Sequence, residues 1–203
     1  MTRAGRVGLV LVPATALAAV VAWREVAERL PARLTHEELV VDLATDLRRA
    51  TVVTQAPDAP VVVGWLEPRH DSGVGASRRP ALVTAPPAEL RYALRMPAGS
   101  ALRFGVGVEH RGPAERGASG VRFAVVVDDH EVWVRVVNPA ARRRDRRWFD
   151  QRVPLGGEGV RRVTLVTGVA GAGPAGGSPG WSTLRVVRTT LVDRQAARPS
   201  APS

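Results

Sequence analysis

Four stretches of this chain alternate apolar and polar residues with a period of two. Leu90, Tyr92, Leu94 and Met96 alternate with Arg91, Ala93 and Arg95. Leu102, Phe104, Val106 and Val108 alternate with Arg103 and two glycines. Val121, Phe123, Val125 and Val127 alternate with Arg122, Ala124 and Val126, and Val132, Val134 and Val136 with Trp133 and Arg135. Successive side chains on a strand point to opposite faces, so such a stretch buries one face of a sheet and leaves the other wet. Turn signals and no helical periodicity separate the stretches, which predicts an antiparallel sandwich or barrel. Asp128-Asp129 reads as a tight hairpin turn. Shorter strands are expected at 50–54, 61–66, 149–155, 163–167 and 180–186, and 39–43 reads as a strand or the start of a helix. Two connections are long: 112–119 is polar, and 168–180 is nearly all Gly, Ala, Pro and Ser.

The 203 residues suit one domain of ordinary size plus an appendage. There is no Cys, which excludes disulfides and thiolate metal sites. Net charge is +10, and every one of the 29 basic residues is Arg. The arginines spread along the chain instead of forming one stripe, which argues against nucleic acid as a partner. A diffuse positive field suits anionic glycans, lipid headgroups or phosphates.

Residues 7–23 carry no charge, with Arg3 and Arg6 before them and Arg24, Glu25, Glu28 and Arg29 after. As a helix this run spans about 25 Å, near the ~30 Å hydrocarbon thickness of a bilayer. Its leading reading is an uncleaved membrane anchor, with Trp23 at the interface and Arg3 and Arg6 keeping the N-terminus cytoplasmic. A cleaved signal peptide competes with it, since 16–18 and 20–22 offer small residues for cleavage; a buried soluble helix is the third reading. The expected organisation is a cytoplasmic 1–6, an anchor or signal segment 7–23, a juxtamembrane helix and spacer 24–38, a sandwich 39–192 and a disordered tail 193–203. The protein is then a single-pass membrane protein with its C-terminal domain exported, or secreted if the leader is cleaved.

The order of segments carries a resemblance. Leu102-Arg103-Phe104-Gly105-Val106-Gly107-Val108 is followed by Val121-Arg122-Phe123-Ala124-Val125-Val126-Val127, then by Arg147-Trp148 and a strand at 149–155, then by 163–167 and a late Gly180-Trp181. Upstream stands Arg79-Pro80-Ala81-Leu82-Val83-Thr84-Ala85-Pro86-Pro87. Over 39–192 this resembles the galactose-binding-like jelly-roll domains, above all the NPCBM-related versions in bacterial exported and membrane-anchored proteins. The resemblance implies an all-β jelly-roll β-sandwich behind an N-terminal transmembrane or signal helix. It also implies a non-catalytic, carbohydrate-binding role at the cell envelope, through loops at one end or the concave face. The fold hosts many functions, so the role is a weaker implication than the architecture. The 168–180 loop offers almost no polar side chain, so no sugar or metal contact carries over onto it.

The candidate ligand-binding residues are Trp65, His70, Asp71, Trp133, Arg143 and Trp148. Tryptophan presents a flat apolar face with one donor, the chemistry of a sugar-stacking platform. Trp65 lies beside the polar loop holding His70 and Asp71, and Trp133 lies on the polar side of an alternating strand, where cross-strand packing is its leading reading. Trp148 and Trp181 hold fixed places in the fold pattern and have a packing reading as well. Arg143 belongs to the densest basic run, Arg142, Arg143, Arg144, Arg146 and Arg147, whose planar forks suit carboxylates or phosphates; the plain alternative is a solvated loop with Asp145 as local partner.

Catalysis finds no support. There are no paired carboxylates in a readable motif, no Gly-x-Ser-x-Gly elbow, and no strand-to-helix context around Gly105-Val106-Gly107. None of the four histidines has zinc-ligand spacing. Asp128, Asp129 and His130, with Glu109 and His110, fit a metal poorly because neighbours on a strand face opposite ways. No cofactor is expected, although a structural calcium held by backbone carbonyls leaves no trace in sequence. The rival function is an assembly module, docking onto another envelope protein through a sheet face lined by Arg91, Arg95, Arg103, Arg122 and Arg135.

Overall fold

The computed structural model describes residues 34–54, 60–68, 78–110, 112, 115 and 117–192. The leader and the tail, and with them His70 and Asp71, lie outside the described residues. The chain divides into a unit of residues 37–190 and a second unit made of its two ends. Among the described residues no helix is long and apolar enough to cross a membrane.

The described residues form eleven strands: β1 Leu34–Asp42, β2 Thr51–Thr54, β3 Val62–Leu66, β4 Arg79–Val83, β5 Ala88–Met96, β6 Ser100–Glu109, β7 Gly120–Val127, β8 His130–Val137, β9 Phe149–Pro154, β10 Gly159–Ala170 and β11 Ser178–Val192. They make two antiparallel sheets. Sheet A has the order β3-β4-β11-β6-β9, with β1 also on β11, and sheet B has the order β2-β5-β10-β7-β8. β1 begins at Leu34, inside the segment read as spacer.

The alternation does what period two requires. On β5 Leu90, Tyr92, Leu94 and Met96 are buried, while Arg91, Ala93 and Arg95 face out. Leu102, Phe104, Val106 and Val108 of β6 meet Val121, Phe123, Val125 and Val163 of sheet B in one core. Trp181 sits at its centre, edge-on to Phe123 at 5.3 Å between ring centroids and 5.4 Å from Phe104. Its indole N–H donates to Thr167 Oγ1 at 2.9 Å, and the Thr84 hydroxyl donates to the same oxygen. The core therefore holds a short polar chain in which the indole donor is satisfied.

Asp128 and Asp129 form the expected hairpin turn, both with positive φ, 47° and 69°. The Asp128 carboxylate accepts from the Arg162 backbone N–H at 2.9 Å and from Arg161 Nη1 at 2.8 Å, which ties the turn to β10. Those bonds hold the carboxyl below the usual carboxylate range.

β8 departs from the sequence expectation. Val127 pairs with His130 and Val126 with Glu131, but Val125 pairs with Trp133, so Val132 is an extra residue in a bulge. One inserted residue inverts which side chains face the core. Trp133 and Arg135 turn inward, and Val132, Val134 and Val136 stand 43%, 48% and 42% exposed. Trp133 packs edge-on against Phe104 at 4.8 Å, and the Arg135 guanidinium lies 3.7 Å from the Phe149 ring centroid.

Tyr92, the chain's single tyrosine, is buried and donates to the Leu43 carbonyl at 3.2 Å. Burial, reinforced by the Asp46 charge, pushes its hydroxyl from 10.0 up to about 12. In the unfolded chain it ionises first, so stability is intact below about 10 and falls as pH rises towards about 12. Tyrosinate absorbance, read on the only tyrosine present, should show a midpoint near 12 in the folded protein and near 10 in denaturant; equal midpoints would contradict the burial argument.

Candidate functional site

The two ends of the sandwich differ. One carries the short turns 97–99, 128–129 and 155–158; the other carries the short 84–87 and the longer connections 110–119, 138–148 and 171–177. At this second end, Pro60, Val83 to Pro86 and Ala175 to Pro179 surround a depression of about 340 Å³. Its lining is Pro, Ala, Gly and Val with two hydroxyl residues, Thr84 and Ser178, and the Thr84 hydroxyl is committed to Thr167. That wall offers little to orient a polar ligand. Beside it, His110 Nδ1 and Glu115 Oε2 lie 2.7 Å apart.

The sequence-predicted residues scatter. Trp148 is buried, but outside the main core: it lies on the outer face of sheet A, in a small cluster with Leu66 and Ala81. β6 admits it because residue 107 is Gly; a Cβ there would come 2.9 Å from Trp148 Cε3 and 2.7 Å from Pro68 Cγ. The glycine side of β6, which the alternation left wet, is thus roofed by an indole. The Arg79 guanidinium sits 5.3 Å from that ring and pairs with Asp150 across the same face. Arg143 is exposed on a 3-10 turn, Arg143–Asp145. Asp145 is buried and accepts from the Asn138 backbone N–H at 2.9 Å. Trp133 is half-buried against Phe104.

Trp65 is different. It is 61% exposed on β3, an edge strand of sheet A, with Val63 two residues earlier on the same face at 62%. The Arg78 guanidinium lies 5.3 Å from its ring centroid. Among the described tryptophans, Trp133, Trp148 and Trp181 are packed and Trp65 is presented. An exposed indole with an apolar neighbour and an adjacent cation can stack on the C–H face of a sugar ring while the guanidinium bonds its hydroxyls.

The arginines expected to line one sheet do not. Arg91, Arg95 and Arg122 face out from sheet B and Arg103 faces out from sheet A, whereas Arg135 points inward. Arg91 pairs with Glu89, Arg122 with Glu131 and Arg103 with Glu37, so these positions present paired charge. Among the described residues no group of three or more His, Asp or Glu comes together as a metal site. Glu109 and His110 lie at the end opposite Asp128, Asp129 and His130.

Comparison with solved structures gives the architecture a place. The chain superposes on the CBM51 module from Clostridium perfringens GH95, solved in complex with methyl-galactose, with a TM-score of 0.53 and 14% identity, over 74% of this chain and 99% of that one. The fold is the galactose-binding-like jelly roll. Two further matches are Clostridium perfringens ZmpB structures. One contains the CBM51-2 and INT domains (TM-score 0.55, 13% identity, 70% of this chain). The other contains the M60 catalytic domain with CBM51-1 and CBM51-2 (TM-score 0.55, 15% identity, 76% of this chain). This chain spans 30% and 15% of those two chains. No protein-family profile and no curated protein matches the chain.

Proposed function

We propose that the sandwich is a non-catalytic carbohydrate-binding module, and that the Trp65 ledge on β3 is where a glycan stacks. The observation that carries the reading is the contrast among the described tryptophans: three are packed and Trp65 lies open beside Val63 and Arg78. The fold shared with a module solved around methyl-galactose supports it. The uncharged run 7–23 supports a further element of the proposal, tethering at the cell envelope with the sandwich exported.

The test is a glycan array probed with the full-length chain in detergent micelles, at low and high salt. Trp65→Ala is expected to weaken binding by about 2 kcal/mol, roughly thirtyfold, as for a stacking hot spot. As an exposed position, it should leave thermal stability nearly unchanged. Binding that vanishes with added salt would reduce the interaction to arginine electrostatics and sink the reading.

Protein docking is a second reading, favoured by the row Val132, Val134 and Val136 on the free edge strand β8. Unpaired edges with exposed apolar side chains are templates for another strand. Under this reading Val134→Lys, and not Trp65→Ala, abolishes capture of a partner.

A further inference from the structure

The outer face of sheet B carries a depression of about 410 Å³, in the size range of small-ligand sites. Its floor follows from the strand register. Thr164 of β10 lies between Arg91 of β5 and Val126 of β7, and Val166 lies beside Glu89. All point away from the core, because their neighbours Val163 and Leu165 point into it. Thr164 is only 9% exposed as a residue, but its hydroxyl oxygen stays open to solvent, with no hydrogen-bond partner among the described residues. That hydroxyl opens into the depression, where it can donate to and accept from a bound ligand or water.

The walls are two ion pairs. On one side Arg91 donates through both Nε and Nη2 to a single oxygen, Glu89 Oε2, which leaves Oε1 as a free acceptor. On the other, Arg162 meets Asp129 through Nη1 alone, at 3.2 Å and 3.3 Å, which leaves its remaining N–H groups as free donors. The four charges sum to zero. An ionic ligand would meet its own sign as often as the opposite one. A hydroxyl both donates and accepts, and the valine floor suits a C–H face.

We infer that this trough is a second ligand subsite of the sandwich, and that it takes a neutral, hydroxyl-rich sugar ring lying on Val126 and Val166 with one hydroxyl on Thr164 Oγ1. The inference rests on the carbohydrate-binding reading and adds a site on the opposite sheet from Trp65. With no aromatic ring in the floor, the trough binds single sugars more weakly than the Trp65 ledge and serves to extend the grip on a longer chain.

The experiment titrates the isotopically labelled full-length chain with methyl glycosides of galactose, N-acetylglucosamine and xylose, following the Thr164, Val126 and Val166 amides and the Trp65 indole N–H by NMR. The trough amides are expected to shift saturably with at least one of these sugars. Thr164→Val, which keeps the shape and removes the hydroxyl, should weaken that isotherm about tenfold and leave the Trp65 isotherm unchanged. Saturable Trp65 shifts with silent trough amides would overturn the subsite while leaving the carbohydrate reading standing. No saturable shift at either place would overturn both. A trough isotherm indifferent to Thr164→Val, or one that collapses at about 0.5 M salt where charge attraction is screened, would overturn the ligand class assigned.

Discussion

Trp181→Ala is expected to lower the unfolding free energy by about 3–5 kcal/mol, the usual cost of emptying a large aromatic site. The indole is fully buried between Phe104, Phe123 and Trp133, so its removal leaves a cavity lined by three rings from both sheets. It also removes the donor to Thr167 Oγ1, which keeps only the Thr84 hydroxyl as partner. A domain of this size has about 5–15 kcal/mol to lose, so the variant should sit close to its folding limit. Urea unfolding followed by circular dichroism measures the loss. Trp181→Phe separates the two contributions, since it keeps most of the ring contact and loses the hydrogen bond; it should cost less than the alanine variant. A loss below about 1 kcal/mol for Trp181→Ala would mean that the two sheets do not close on this side chain.

Gly177→Ala is the second large effect. Gly177 has φ of +82°, in the left-handed region where a side chain is strained, and a Cβ there would overlap the Glu109 carbonyl oxygen. That obstacle is backbone, held in the β6–β11 ladder where Ser178 pairs with Glu109, so it cannot swing aside. Strain and overpacking together predict a loss of about 2–5 kcal/mol. The control is Gly112→Ala: φ there is also positive, at +116°, but no atom of a described residue lies near the added methyl. Thermal unfolding of the pair distinguishes clash from backbone strain. Equal midpoints for the two variants would remove the case for close packing at the start of β11.

Much of the fold was legible because burial on a sheet face has a period of two and the chain keeps that period on β5, β6 and β7. The Asp128-Asp129 turn was legible too, since two short polar residues between apolar runs tolerate positive φ. β8 was misread for one physical reason. A single bulged residue, Val132, shifts the parity of everything after it, and no residue type marks the bulge. The consequence reached the candidate site. Trp133, read as packing across strands on the polar side, packs instead on Phe104 of the opposite sheet, while the valines read as core form an exposed row. Trp65 was placed correctly at the surface because it neighbours a polar loop. The trough on sheet B escaped notice because Glu89, Thr164 and Arg162 are unremarkable alone and far apart along the chain; only the register of β10 with β5 and β7 assembles them.

By itself the sequence determined the class of the protein: an all-β sandwich without disulfides, strongly basic, with one face of each long strand buried and an uncharged run at its start. Those are properties of local pattern and composition, and they survive without knowing which strand lies next to which. Only the tertiary structure decided which tryptophan is presented, which arginines are neutralised and where a ligand-sized depression lies. Each of those depends on pairing between residues dozens of positions apart, and pairing is decided by register, bulges and close approach at glycine, which leave almost no mark in the one-dimensional pattern.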